Sequence, residues 1–184
     1  MITYIVGSLV GLVVLVLIIG FLMPSEITVS RSVTIDRPAE AIFPWIAELK
    51  TWPDWTVWNK AEDPTLAYSY PGPTTGKGGS MTWTAKKMGD GTLTFTEFVP
   101  NKVVRYELVM PGHGTTVHGN LELESAGGGA TRVSWYDVVD MGKSPVKKLF
   151  GPLLKKMLGT AFARGLQGLK TAAETGKAAG PGPK

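Results

Sequence analysis

The hydrophobic positions of this chain fall into three regimes. From Ile2 to Met23 no charged residue occurs, and "IVGSLVGLVVLVLIIGFLM" is mostly Val, Leu and Ile. About 20 apolar residues at a rise of 1.5 Å cover the ~30 Å hydrocarbon core of a bilayer, so the run predicts one transmembrane helix over residues 2–23. A buried core helix of this length would carry a polar stripe, and none is present. A cleaved leader would have a shorter apolar region and a small-x-small cleavage site, which "MPSEITVSR" lacks.

After Pro24 the period drops to two. "EITVSRSVTI" alternates through Ile27, Val29, Val33 and Ile35, a strand with one buried face. "DRPAEAIFPWIAEL" reads as a short helix, with Asp36 as N-cap, Pro38 in the first turn and Pro44 shortening or kinking it. "WPDWTVWNK" then sets Trp52, Trp55 and Trp58 three residues apart, in a helical turn and loop interrupted by Pro53. "PTLAYSY" and five further runs, "SMTWTAKK", "GTLTFTEFV", "KVVRYELVM", "TTVHGNLELES" and "ATRVSWYDVV", are bounded by Gly-, Pro- and Asn-containing turns. That spacing predicts a meander of antiparallel hairpins, about seven strands including the first.

From Ser144 the period returns to three and four. Leu149, Phe150, Leu153, Leu154, Met157, Leu158, Phe162, Leu166 and Leu169 make a long amphipathic helix, with a break expected near Gly151-Pro152. The order is a transmembrane helix over 1–24, a domain over 25–175, and a tail "TGKAAGPGPK" whose residues 176–184 are expected to be disordered. Strand, short helices, six strands and a long helix form an α+β domain: a curved antiparallel sheet around one C-terminal helix. A twisted sheet folded round a single helix leaves an elongated apolar hollow.

Five stretches carry a family resemblance: "VSRSVTIDRPAEAIFPWIAELKTWPDW", "YSYPGPTTGKGGSMTWTAK", "FTEFVPNKVVRYEL", "GGATRVSWYDV" and "GLQGLKTAAE". Over residues 27–174 the chain resembles the SRPBCC (START-like, Bet v 1-like) superfamily, and within it the polyketide cyclase/dehydrase-like branch with an N-terminal membrane segment. The resemblance implies a helix-grip fold with a deep hydrophobic cavity between sheet and terminal helix. It also implies a domain outside the cytoplasm. The local charge points the other way: the first basic residues after the apolar run are Arg31 and Arg37, and none precedes it, which favours a cytoplasmic domain.

Composition narrows the function. Hydrophobic residues at 43% and charged residues at 18% are enough for a folded core. The absence of cysteine removes disulfides, thiolate nucleophiles and cysteine metal sites. A net charge of +4, without a dense basic stripe, argues against nucleic acid. "GPTTGKG" is not a phosphate loop, because Pro71 replaces the first Gly, Gly78 replaces the hydroxyl residue and a strand follows. His113 and His118 lack a third ligand, so no metal or cofactor is expected.

By strand alternation one face presents Tyr68, Met81, Trp83, Leu93, Phe95, Glu97, Val117, Leu121, Val133 and Trp135, opposite Phe162 and Leu166. With Trp52 or Trp58 at the rim and Tyr106 as a polar group, these are the cavity candidates. Trp55 is expected as a buried plug. Glu97, in phase with Phe95, is the one candidate acid/base, although pairing with Arg105 would leave it structural. Three functions stay open. The first is a membrane-anchored binding protein for an apolar small molecule or lipid. The second is a cyclase/dehydratase-like enzyme using Glu97. The third is a regulatory domain whose helix, bearing Lys147, Lys148, Lys155 and Lys156, docks on another protein or an anionic membrane surface.

Overall fold

The computed structural model describes residues 2–183; Met1 and Lys184, and the side chains at 2, 3, 5, 10, 13 and 113, lie outside the described residues. The chain runs α1 (Ile2–Leu22), β1 (Glu26–Ile35), α2 (Ala39–Ala47), a 3-10 turn (Leu49–Asp54), β2 (Ala67–Ser69), β3 (Ser80–Thr84), β4 (Gly91–Val99) and β5 (Val103–Met110). A second 3-10 turn (Pro111–His113), β6 (Thr115–Gly127), β7 (Ala130–Asp140), α3 (Pro145–Leu149) and α4 (Gly151–Thr175) complete it. All seven strands form one antiparallel sheet in the order β1-β7-β6-β5-β4-β3-β2. Turns and loops join β2 to β7 as a meander, and β1 crosses the molecule to pair with β7 from Glu26↔Asp140 to Ile35↔Thr131.

The inner face of the sheet follows the alternation in its sequence. On β7, residues 131, 133, 135, 137 and 139 are buried and their neighbours are not. Helix α4 closes over this face with Phe162, Leu166, Leu169, Ala172 and Ala173 buried. Each of its large apolar side chains contributes about 1.5–3 kcal/mol by leaving water. The break before α4 falls where Gly151 and Pro152 stand, since proline is tolerated only in a first helical turn.

The local expectations need two adjustments. Helix α2 is short, as Pro44 requires, but its N-cap is Pro38 and no side chain caps it. Asp36 lies too far upstream; its backbone N–H instead donates to the Glu174 carboxylate at 3.2 Å, tying the start of α2 to the end of α4. The tail, expected to lack fixed structure, lies along the domain. The Gly180 N–H donates to the Asp54 carbonyl at 2.7 Å and the Gly182 N–H to the Arg164 carbonyl at 2.8 Å.

The predicted membrane span is helical from Ile2 to Leu22, with no charged residue in either terminal turn. Five of its side chains fall outside the described residues, and among the described residues no helix is long and apolar enough to cross a membrane. Its C-terminal part rests on α3. Gly20 is buried there, and a Cβ on it would stand 2.9 Å from the Pro145 carbonyl carbon, so only glycine permits the approach.

Candidate ligand cavity

The indole row shapes one end of the core. Trp52 and Trp55 are buried, and their ring N–H groups donate to the carbonyls of Ile46 (2.9 Å) and Trp45 (3.0 Å). Both bonds run back to α2, so the 3-10 turn locks against the helix that precedes it. Trp58 is only half-buried; the Tyr68 hydroxyl donates to its carbonyl at 2.7 Å and fixes the loop beside β2. Trp135 of β7 lies among these rings, stacked on Phe162 of α4 at 4.3 Å between centroids, with Trp55 and Trp58 tilted against it at 5.4 and 5.7 Å.

Where these rings stop, the core is hollow. A cavity of about 410 Å³ lies between the sheet and α4, within the size range of small-molecule sites. Strands β3 to β7 supply Met81, Trp83, Leu93, Leu108, Val117 and Val139 to its wall; α4 supplies Leu154, Met157, Leu158 and Phe162. Trp52, Thr56, Trp58 and Tyr68 close one end. Lys87, Met88, Met110 and Thr115 also border it, and Lys87 and Met157 are exposed, which marks the mouth.

One polar group interrupts this apolar wall. Tyr106 on β5, Gly119 on β6 and Asp137 on β7 stand in register across three strands. The Tyr106 hydroxyl donates to Asp137 Oδ1 at 2.6 Å and accepts from Trp135 Nε1 at 2.7 Å. Tyr106 and Asp137 lie on strands separated by a third, so their contact passes over Gly119. A Cβ there would collide with both the Tyr106 ring and the Asp137 carboxylate. Glycine is therefore what lets the tyrosine reach the acid. Burial pushes the Asp137 carboxyl up to about 7, against a smaller downward pull from the hydrogen bonds of Tyr106 and Trp135. Burial and the neighbouring acid likewise push the Tyr106 phenol well above its ordinary value. Thr56, another residue of the lining, keeps its hydroxyl buried without a hydrogen-bond partner among the described residues.

A family model described as polyketide cyclase / dehydrase and lipid transport matches residues 26–174, nearly the whole of the sheet and its helices. The chain belongs to this family. Among solved structures, that of DynU16, a protein in the dynemicin biosynthetic locus, is 16% identical with a TM-score of 0.56 over 83% of this chain and 49% of its own, so the chain spans about half of that protein. The solution structure of the Aha1 dimer from Colwellia psychrerythraea is 20% identical with a TM-score of 0.57, over 82% of this chain and 98% of its own. A protein from Thermus thermophilus is 14% identical with a TM-score of 0.60, over 82% and 99%. At these identities the likeness shows the fold, which is that of the SRPBCC superfamily. A comparison with curated proteins finds no match.

In this polyketide cyclase/dehydrase and lipid transport family member, the residues proposed from alternation divide into three groups. Trp58, Tyr68, Met81, Trp83, Tyr106, Val117, Trp135 and Phe162 border the cavity. Phe95, Leu121 and Leu166 are fully buried but stand in the solid core, Phe95 against Trp52 at 6.0 Å and Phe98 at 6.1 Å. Glu97 reaches neither. A β-bulge between Phe95 and Glu97 breaks the alternation, so Phe98 turns inward against Phe43 and Glu97 turns outward. There it accepts from Arg105 Nη1 at 2.8 Å, both side chains being about half exposed (44% and 51%). His118 is exposed beside Glu107, away from the cavity, in line with its parity. Asp137, the acid raised furthest by burial, is absent from the alternation-based set. Its signal was the phase of "TRVSWYDVV", which carries Val133 and Trp135 inward and Asp137 with them.

Proposed function

We propose that this chain is a membrane-tethered binding protein that holds an apolar small molecule or lipid in the cavity between sheet and α4. One observation carries the reading: about 410 Å³ of space walled by Met, Leu, Val and aromatic side chains, with a mouth beside exposed Met157. A close-packed domain has few voids larger than a water molecule, and leaving this much apolar surface unfilled forfeits dispersion contacts that a guest would restore. The family description, which includes lipid transport, supports the same direction.

The tether is supported by the apolar surface of α1. Leu9, Leu12, Leu15, Ile18, Phe21 and Leu22 are exposed to an extent that water would not favour. The 21 helical residues extend about 30 Å, the thickness of a bilayer core. Val146 of α3, Phe150 at the junction, and Leu153 and Met157 of α4 are also exposed, and α3 packs against α1. Met157 among them also borders the cavity.

The cyclase/dehydratase reading through Glu97 finds no support in the geometry, since that carboxylate lies outside the cavity. Native mass spectrometry of the full chain released from membranes tests the binding reading. A co-purifying lipid-like mass, or uptake of a fluorescent fatty-acyl probe that quenches with cavity tryptophans, is expected. A chain that never carries such a mass and takes up no probe refutes it. Alkaline carbonate extraction tests the tether: the full chain stays in the membrane pellet, and loss of 1–24 releases it.

A further inference from the structure

We infer that Asp137 is the polar anchor of the cavity, its carboxyl donating a hydrogen bond to a carbonyl oxygen on an otherwise apolar ligand. This deepens the binding reading above and rests on it. The assignment follows from where each donor at the polar patch is directed. Trp135 gives its N–H to the Tyr106 oxygen, and Tyr106 gives its O–H to Asp137 Oδ1. With Oδ1 accepting from Tyr106, we place the carboxyl's own proton on Oδ2, and Asp137 itself borders the cavity.

The surroundings favour the neutral acid. Besides Asp137, the titratable groups on the cavity wall are Tyr68, Tyr106 and Lys87, and Lys87 is exposed at the mouth. From β6 the facing residues are Val117 and Gly119; from α4 they are Leu154, Leu158 and Phe162; from the tryptophan turn, Trp52 and Thr56. None of these carries a charge, and His118 of β6 stands on the outer face beside Glu107. A buried carboxyl without a cation keeps its proton, and burial here holds the titration near 7.

The same surroundings argue against a cationic ligand. An ammonium cage needs free aromatic faces, and those of Trp135 are covered by Phe162 at 4.3 Å and edged by Trp52 and Trp55. The ligand class is therefore a neutral apolar molecule bearing a ketone, ester or thioester carbonyl.

The test compares methyl nonyl ketone with undecane, a matched pair differing in the carbonyl, bound to the full chain held in amphipol. Below the titration of Asp137, the ketone is expected to bind roughly tenfold more tightly relative to undecane than it does in D137L, the contribution of one hydrogen bond from a buried donor. The preference should fade as pH rises through about 7. The infrared carbonyl stretch of the bound ketone should move to lower frequency in the acid form and return as Asp137 ionises. D137N, whose amide still donates, should keep the preference and lose its pH dependence. Equal preference in wild type and D137L, or a carbonyl band indifferent to pH, overturns the anchor while leaving the cavity reading intact. Failure of both probes to bind overturns both. If the variants do not fold, the pH series and the band shift in the wild type decide alone.

Discussion

Replacing Asp137 with Asn should make the protein more stable at neutral and alkaline pH. In the folded chain the carboxyl titrates near 7, against 3.8 for an exposed aspartate. Its folded value is raised, so between these two points the folded state holds a proton that the unfolded state has lost. The favourable contribution is intact below about 4 and is lost as pH rises through 7, where the folded state must carry an ionised carboxylate in an apolar wall. The gap of about 3 pH units, at about 1.4 kcal/mol each, is about 4 kcal/mol. Asn preserves the shape and still accepts from Tyr106, and it does not ionise. Urea unfolding of both proteins, followed by tryptophan fluorescence from below pH 3.8 to above pH 7, gives the difference in stability at each pH. That difference should move in favour of D137N by about 4 kcal/mol across the window. Asp63 and Glu174, whose carboxyls are held low, titrate alike in both proteins and cancel. A difference that stays flat with pH would refute the placement of Asp137 as a buried, cation-free acid.

Three other outcomes follow from the geometry. G119A puts a methyl into the Tyr106–Asp137 contact; overpacking should cost about 1–3 kcal/mol, and thermal unfolding should show it together with a shrunken pH-dependent gap between G119A and the double variant carrying D137N. E97Q alters only an ion pair exposed by about half, so its stability should change by about 0–1 kcal/mol and probe uptake should be unchanged, as a paired calorimetric and binding measurement would show. The Asp63 carboxyl is held at about 2, first by the Thr65 hydroxyl and then by the backbone N–H groups of Lys87, Thr65 and Met88. Stability from a lowered carboxyl is present above 3.8 and lost as pH falls toward 2. Exchange protection at the Lys87 and Met88 amides should therefore drop across that window, loosening the turn beside the cavity mouth, and D63N should show the drop at all pH values.

The order of elements was legible because it is written in local periods. The uncharged run became α1, the alternating runs became β1 and the meander, and Gly151-Pro152 marked the start of α4. The outward face of His118 followed from the same local pattern, whereas the burial of Trp55 was what the family resemblance implied. What periodicity could not convey was anything set by two or more segments at once. The bulge after Phe95, which sends Glu97 to the surface, depends on how β4 pairs with β5. Whether an inward side chain borders a void or solid core is a matter of the volume that α4 leaves behind, which separates Trp83 and Val117 from Phe95 and Leu121.

The sequence alone thus determined a helix followed by an antiparallel sheet and a closing helix, because backbone period and turn chemistry act over a few residues. The tertiary structure alone decided that Tyr106 and Asp137, thirty-one positions apart, share a hydrogen bond across Gly119. That contact exists because strand register aligned the three residues and the absence of one Cβ left room between them. Burial then did to the carboxyl what no property of its neighbours in sequence could.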